Sequence, residues 1–130
     1  MVAKPLCPLY KYIIKPLDRA YYPELRYELA FVIGDVLFTG CAHHGILNIM
    51  ESIQESIRLS IGGFHLLDSH LREHYETDEQ LLEIASELAN RYTDVEFYTG
   101  HCTGDHCFEV LSGEKGLRIH QFHVGKMYHY

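Results

Sequence analysis

Three segments of the chain combine glycine with histidine or cysteine, and each follows an apolar run that is typical of a strand. The three segments are Thr39-Gly40-Cys41-Ala42-His43-His44-Gly45, Gly62-Gly63-Phe64-His65-Leu66 and Thr99-Gly100-His101-Cys102-Thr103-Gly104. Imidazole and thiolate groups are common zinc ligands, and the ends of neighbouring strands can bring them to one edge of a sheet. Glycine beside each candidate permits a tight turn and a close approach of the backbone to an ion. The repetition predicts a metal site formed by loops at one edge of a sheet.

The strands that would position these loops follow from short apolar or alternating runs. Gly34-Asp35 predicts a hairpin-like turn between the first two strands. Residues 10–14 could form a short edge strand, and residues 124–127 could extend the sheet. The main strands are predicted over residues 25–33, 36–38, 59–61, 95–98 and 117–122.

Three helices alternate with these strands. Apolar residues at helical spacing predict the first helix over 44–59. Thr77 and Gln80 form a capping box that predicts the start of the second helix, which extends to about Tyr92. The third helix is predicted from residue 104 or 105 to 111. The order β-β-α-β-α-β-α-β predicts an α/β fold with a mixed sheet and helices packed on one face.

The chain is expected to contain one domain. All four prolines fall within residues 1–24, which are predicted to form an irregular N-terminal segment. Residues 25–130 contain every predicted helix and every main strand, without a linker or an internal repeat. They are therefore interpreted as a single domain, and 130 residues suffice for a core of its own.

Composition excludes several function classes. The formal net charge is −7, and no lysine and arginine cluster is present that could neutralise phosphates, which argues against a nucleic-acid surface. No apolar run is long enough to span a membrane, and the N-terminus lacks the apolar stretch of a signal peptide. The four cysteines do not form the dense pattern of a secreted disulfide framework. A cytoplasmic protein with free or metal-bound thiols is expected.

Three segments, in this order, carry a resemblance to a known family. VLFTGCAHHGILNIME, IGGFHLLD and VEFYTGHCTGDHCFEVL resemble the C-terminal half of metallo-β-lactamase-fold hydrolases. The branch they resemble most is the dihydropterin-ribofuranosyl-aminobenzene-phosphate synthase-like one, and the likeness covers residues 25–127. It implies half of an αββα sandwich, a fold that usually binds two metal ions, commonly zinc, at one edge. The His-x-His-x-Asp-His cluster, which the N-terminal half of that family supplies, does not occur in this sequence.

Taken position by position, the resemblance implies a partial zinc site made of His43, His65, His101 and Cys41. Each residue has a structural alternative. His43 and His101 could be polar residues that bond to carbonyl groups, His65 could simply lie between two core residues, and Cys41 could be a small buried thiol. Whether Cys41 or His43 would be the ligand stays open, and no catalytic residue is assigned.

The resemblance implies metal-assisted hydrolysis of a small phosphate- or ester-containing molecule. This activity is expected only if a dimer mate, or a chain carrying the N-terminal half, completes the site. The sheet face that would pack on the missing half carries large apolar residues, so a covering partner is expected, most simply a second copy in a homodimer. One alternative is a catalytically inactive module that serves binding or assembly. Another is a truncated reading frame without an independent role.

Overall fold

The described part of the chain contains one mixed sheet of six strands, and three helices connect its strands. The computed structural model describes residues 9–14, 28–68, 76–100 and 102–129. The strands are β1 Leu9–Ile14, β2 Glu28–Ile33, β3 Val36–Thr39, β4 Leu59–Ile61, β5 Glu96–Thr99 and β6 Arg118–Gln121. The helices are α1 Ile46–Ser52, α2 Asp78–Arg91 and α3 Asp105–Ser112.

The strands lie in the sheet in the same order as in the chain. The order is β1-β2-β3-β4-β5-β6. Strand β2 is antiparallel to both β1 and β3, whereas β3, β4, β5 and β6 are parallel to one another. One helix lies in each connection between neighbouring parallel strands, and each connection leads to the next strand in the same direction across the sheet. Because such crossovers are right-handed, all three helices lie on one face. The predicted fold class, a mixed α/β sheet with helices on one face, is confirmed.

Two adjacent rows of paired residues show that the faces of the sheet differ. Val32, Leu37, Ser60, Phe97 and Ile119 pair in one row across five strands, and each is at most 8% exposed. These residues, apart from Ser60, belong to the core, together with apolar side chains of the helices. The next row points away from the helices, and it begins with Phe31 and Phe38, which are 39% and 37% exposed.

The face opposite the helices is therefore largely apolar and open over its first three strands. We call this surface the open face; its large exposed residues are Leu9, Ile13, Leu29, Phe31, Ile33 and Phe38. Alternation along β2 explains it, because Ala30 and Val32 point into the core while their neighbours point out. The sequence predicted a face of this kind, since Leu29, Phe31 and Ile33 alternate along β2 and form one strongly apolar side of the strand.

Residues 122–129, which we call the tail, lie over the part of this face near β4 and β5. The Tyr128 ring is 5.2 Å from the Tyr98 ring, and the Tyr128 hydroxyl accepts a hydrogen bond from the His123 amide at 2.9 Å. The prediction that residues 124–127 extend the sheet is wrong. A turn with Gly125 at a positive φ of 83° and a Lys126 amide bonded to the His123 carbonyl separates this segment from β6.

The first helix is much shorter than predicted. Helix α1 spans Ile46–Ser52, and Ile53 already has an extended backbone. Strands β3 and β4 are parallel and start side by side, with Val36 paired to Leu59. The connection between them therefore has to run back over the length of β3 alone. A helix of seven residues is about 10 Å long, close to the length of a four-residue strand at about 13 Å. The apolar spacing beyond residue 53 suggested a continuous helix, but the short strands leave no length for it.

The second and third helices agree with the prediction. The Thr77 hydroxyl accepts a hydrogen bond from the Gln80 amide, and the Gln80 side chain accepts one from the Thr77 amide, so the capping box is present. Helix α3 begins at Asp105, as expected. Among the described residues, no helix is long and apolar enough to cross a membrane.

Candidate metal site at the edge of the sheet

The three glycine-containing loops meet because they follow three adjacent parallel strands, β3, β4 and β5. We call their described residues, 40–45, 62–68, 100 and 102–104, the rim. The Gly63 amide donates a hydrogen bond to the Gly40 carbonyl at 2.9 Å, and the Gly62 amide donates one to the Tyr98 carbonyl at 3.1 Å. The loops therefore bond to one another or to the neighbouring strand through their backbones, and their positions are fixed relative to the sheet.

The rim brings two of the predicted ligands together. The His43 and His65 rings have centroids 4.5 Å apart and meet edge to face at 69°. Both residues are half-buried. His65 has a φ of 51° and Ala42, next to His43, a φ of 55°. The left-handed region costs a residue with a side chain roughly 1–2 kcal/mol, so packing in the loops must offset this cost at both positions.

A buried thiol connects the three loops below this histidine pair. The His65 amide donates to Cys102 Sγ at 3.3 Å, and the Cys102 thiol donates to the Cys41 carbonyl at 3.4 Å. Burial is the main cause that raises the pKa of Cys102 to about 11; the nearby Cys41 side chain acts in the same direction, and the His65 amide opposes it. The Cys102 side chain is therefore a neutral thiol at neutral pH.

Of the other two predicted ligands, the structure describes Cys41 but not His101. Cys41 is half-buried and forms no disulfide, and its carbonyl accepts a hydrogen bond from the Cys102 thiol. The prediction that His101 is a ligand lies outside the described residues, although its neighbours Gly100 and Cys102 belong to the rim.

The described side chains supply part of a metal site. A catalytic zinc takes three protein ligands and keeps one position open for water or substrate. Within the described part of the chain, no three His, Cys, Asp or Glu side chains are grouped closely enough to hold an ion. The adjacent imidazoles of His43 and His65 have the donor chemistry that a divalent zinc ion requires. No third ligand joins this pair among the described side chains, and His101, the other predicted histidine, lies outside them.

Glu28, which lies at the start of β2, belongs to none of the three motifs but contacts the first of them. Because β2 and β3 are antiparallel and Ala30 pairs with Thr39, the start of β2 lies beside the end of β3. Glu28 Oε1 accepts a hydrogen bond from the His43 amide at 2.9 Å, and Oε2 accepts one from the His44 amide at 3.0 Å. One signal was available in the sequence: Glu28 is an acidic residue in phase with Ala30 and Val32 on the inward side of an apolar strand.

Hydroxyl and carboxylate groups hold the other two loops. Thr103 Oγ1 accepts a hydrogen bond from the Phe64 amide at 3.1 Å and lies 2.7 Å from Thr99 Oγ1. Asp68 accepts one from the Cys107 amide at 3.3 Å, at the start of helix α3. These bonds satisfy buried polar groups of the loops, and they anchor the segment after β4 to the segment after β5.

No family model matches the chain, and no curated protein sequence matches it. A solved structure does match: the crystal structure of Tm1679, a metal-dependent hydrolase of the β-lactamase superfamily, superposes with a TM-score of 0.62 at 30% sequence identity. The fold is of the metallo-β-lactamase type. The match covers 78% of this chain but 40% of the other, so this metallo-β-lactamase-type chain spans about two fifths of the length of that hydrolase.

Proposed function

We propose that this chain contributes half of the metal site of a hydrolase that acts on a small phosphate- or ester-containing substrate. The observation that supports this most directly is the contact between the His43 and His65 rings, 4.5 Å apart at the rim. The similarity to a metal-dependent hydrolase adds the reaction class. The resemblance of the three motifs suggests, further, the C-terminal half of the fold and the dihydropterin-related branch.

His43 and His65 would bind zinc through neutral imidazoles, with His101 and Cys41 as further candidates. A bound zinc lowers the pKa of its water towards neutrality and polarises the bond to be cleaved. The residues of this chain would hold the ligand rings in place at the edge of the sheet. The Cys102 thiol is engaged with the Cys41 carbonyl and has a raised pKa, so it would pack beneath the site and would not act as a nucleophile.

The remaining ligands would come from a partner. The sequence has no His-x-His-x-Asp-His cluster, and the chain spans only part of the matching hydrolase. We propose a homodimer in which the open face of each copy is covered by the other; a chain carrying the other half of the fold is the alternative occupant. Either partner would bury apolar side chains that are exposed in the single chain.

Metal analysis tests the proposed ligands. The chain is purified without added metal, stripped with a chelator, and titrated with zinc by calorimetry. We expect the wild type to bind zinc and the double variant His43→Ala/His101→Ala to lose binding. His106→Ala is the matched control, because His106 is an exposed histidine of α3 paired with Asp78. Equal zinc binding by the wild type and the double variant would contradict the proposal.

A second function, an inactive module for binding or assembly, is favoured by one observation. The open face is extensive and apolar. The two functions give opposite results in one assay. With zinc present, hydrolysis of a chromogenic phosphodiester or carboxylic ester that disappears in the double variant supports the hydrolase. Absence of zinc binding and of hydrolysis, with a stable dimer, supports the module.

A further inference from the structure

Glu28 is a half-buried acid whose described hydrogen bonds go to one loop of the rim. Its side chain is 9% exposed, and both oxygens are used by consecutive backbone amides of the loop after β3. A carboxylate removed from water is costly unless it is hydrogen-bonded, and two charge-assisted bonds supply that compensation here. The acid is thus tied to the two residues, His43 and His44, whose backbone sets the direction of the predicted ligand.

The same carboxylate also faces the ring of His43. Glu28 Oε1 lies 3.8 Å from Nδ1 of His43, which is too long for a hydrogen bond but close enough for the carboxylate to interact electrostatically with the ring. The two nitrogens of an imidazole point in different directions. Nδ1 is the nitrogen for which a short distance to Glu28 is observed, so a metal ion bound at Nε2 would not compete with the carboxylate for the same ring atom.

We propose that Glu28 is a positioning residue for His43: it holds the loop backbone and keeps the ring proton on Nδ1, so that Nε2 is available to a divalent metal ion. Ligating histidines commonly direct their other nitrogen to a carboxylate, which fixes both the tautomer and the orientation of the ring. The negative oxygen at Nδ1 favours the tautomer that carries its proton there. The inference rests on the proposed metal site, which it deepens by naming the acid behind one ligand.

A different role is that Glu28 only anchors the loop. Loss of an anchor would lower stability and would also weaken metal binding, so affinity by itself does not separate the two roles. The tautomer of His43 does separate them, because an anchor has no reason to choose between Nδ1 and Nε2. This quantity can be measured in the metal-free protein.

The experiment compares Glu28→Gln with Glu96→Gln in the full chain. Glu96 is a matched control because it also contacts an imidazole, that of His120 at 2.6 Å, on strands β5 and β6 away from His43. Nitrogen NMR of the metal-free proteins, at a pH where the rings are neutral, reports the tautomer of each histidine. Calorimetry with zinc then reports the affinity, and thermal unfolding shows whether each variant folds.

We expect His43 in the wild type to carry its proton on Nδ1, and Glu28→Gln to shift the ring towards the Nε2-protonated form. Zinc affinity should fall about 10- to 100-fold in Glu28→Gln and stay unchanged in Glu96→Gln. A wild-type His43 protonated on Nε2 would overturn the proposal, and this measurement does not depend on the variant being folded. An unchanged tautomer in a folded Glu28→Gln variant would overturn it as well.

The design separates this proposal from the proposed function. If the wild type binds no zinc, the hydrolase proposal fails, while the tautomer of His43 still decides the role of Glu28. If the wild type binds zinc and Glu28→Gln binds it equally well, the positioning role fails and the metal site stands.

Discussion

Cys102 is the residue at which the three loops of the rim converge. It accepts a hydrogen bond from the second loop, donates one to the first and is itself part of the third. Gly63 is small for this reason, because a Cβ at that position would overlap the sulfur of Cys102. The geometry of the histidine pair therefore depends on a thiol and a glycine that are not among the predicted metal ligands.

Gly63→Ala should destabilise the protein by about 1–3 kcal/mol, because the new methyl group overpacks against a buried sulfur. Urea unfolding measures the loss. Gly40→Ala is the control, since a Cβ there would have nothing within 4 Å. Adding Cys102→Ala to Gly63→Ala should recover part of the stability, and a double variant as unstable as the sum of the single ones would argue against the steric cause.

The Cys102 thiol should resist alkylation. Its pKa of about 11 lies above the ordinary value of 9.0, so at pH 8 its thiolate fraction is about a hundredfold below that of an unperturbed thiol. Folding favours the protonated form, and this contribution to stability is complete below about pH 9 and is lost as the pH rises towards 11. Iodoacetamide labelling with peptide mapping at pH 8 and pH 10 measures the reactivity of the Cys102 thiol at the two pH values. Fast labelling at pH 8 would contradict the raised pKa.

At the scale of the elements, helices α2 and α3 are joined near their starts. Asp78 lies in the first turn of α2, and His106 lies in the first turn of α3, with His106 Nε2 2.8 Å from Asp78 Oδ1. The hydrogen bond to Asp78 raises the pKa of His106, and the negative charge of Asp78 adds to the effect. Because the pair is exposed, it contributes little to the stability of the contact between two helices that already pack in the core.

Asp78→Asn should lower the pKa of His106, because both the hydrogen bond to a carboxylate and its charge are removed. A pH titration followed by NMR measures the pKa directly. Since the folded-state pKa is raised, the contribution of the pair to stability is present below the unfolded value near 6.5 and is lost as the pH rises through the folded value. Glu79→Gln, in the same turn of α2, is the control and should leave the pKa of His106 in place.

At the scale of the whole molecule, one side of the sheet is packed and the other is not. The helices cover the row that contains Val32 and Phe97, while the open face presents six large apolar side chains over β1 to β3. The tail lies over part of β4 and β5. An apolar surface of this kind marks an interaction site in a stable protein, which is the physical basis of the proposed homodimer.

Leu29→Glu should convert the proposed dimer to a monomer, because it places a charge among the apolar side chains of the open face. Leu82→Glu is a close control: Leu29 and Leu82 are 46% and 49% exposed, but Leu82 lies on α2, on the opposite side of the sheet. Light scattering after gel filtration measures the mass of each variant. A monomeric wild type, or equal dissociation of the two variants, would contradict a dimer through this face and favour a separate chain as the occupant.

The sequence by itself determined the order of strands and helices, the single sheet with helices on one face, and the clustering of the glycine-containing loops at one edge. These features follow from local periodicity and from the handedness of crossovers, which need no knowledge of distant contacts. Tertiary structure decided the length of α1, which the short strands limit, and the path of the tail, which Gly125 turns away from β6. It also decided the role of Glu28, because residues 15 apart met only when β2 paired with β3.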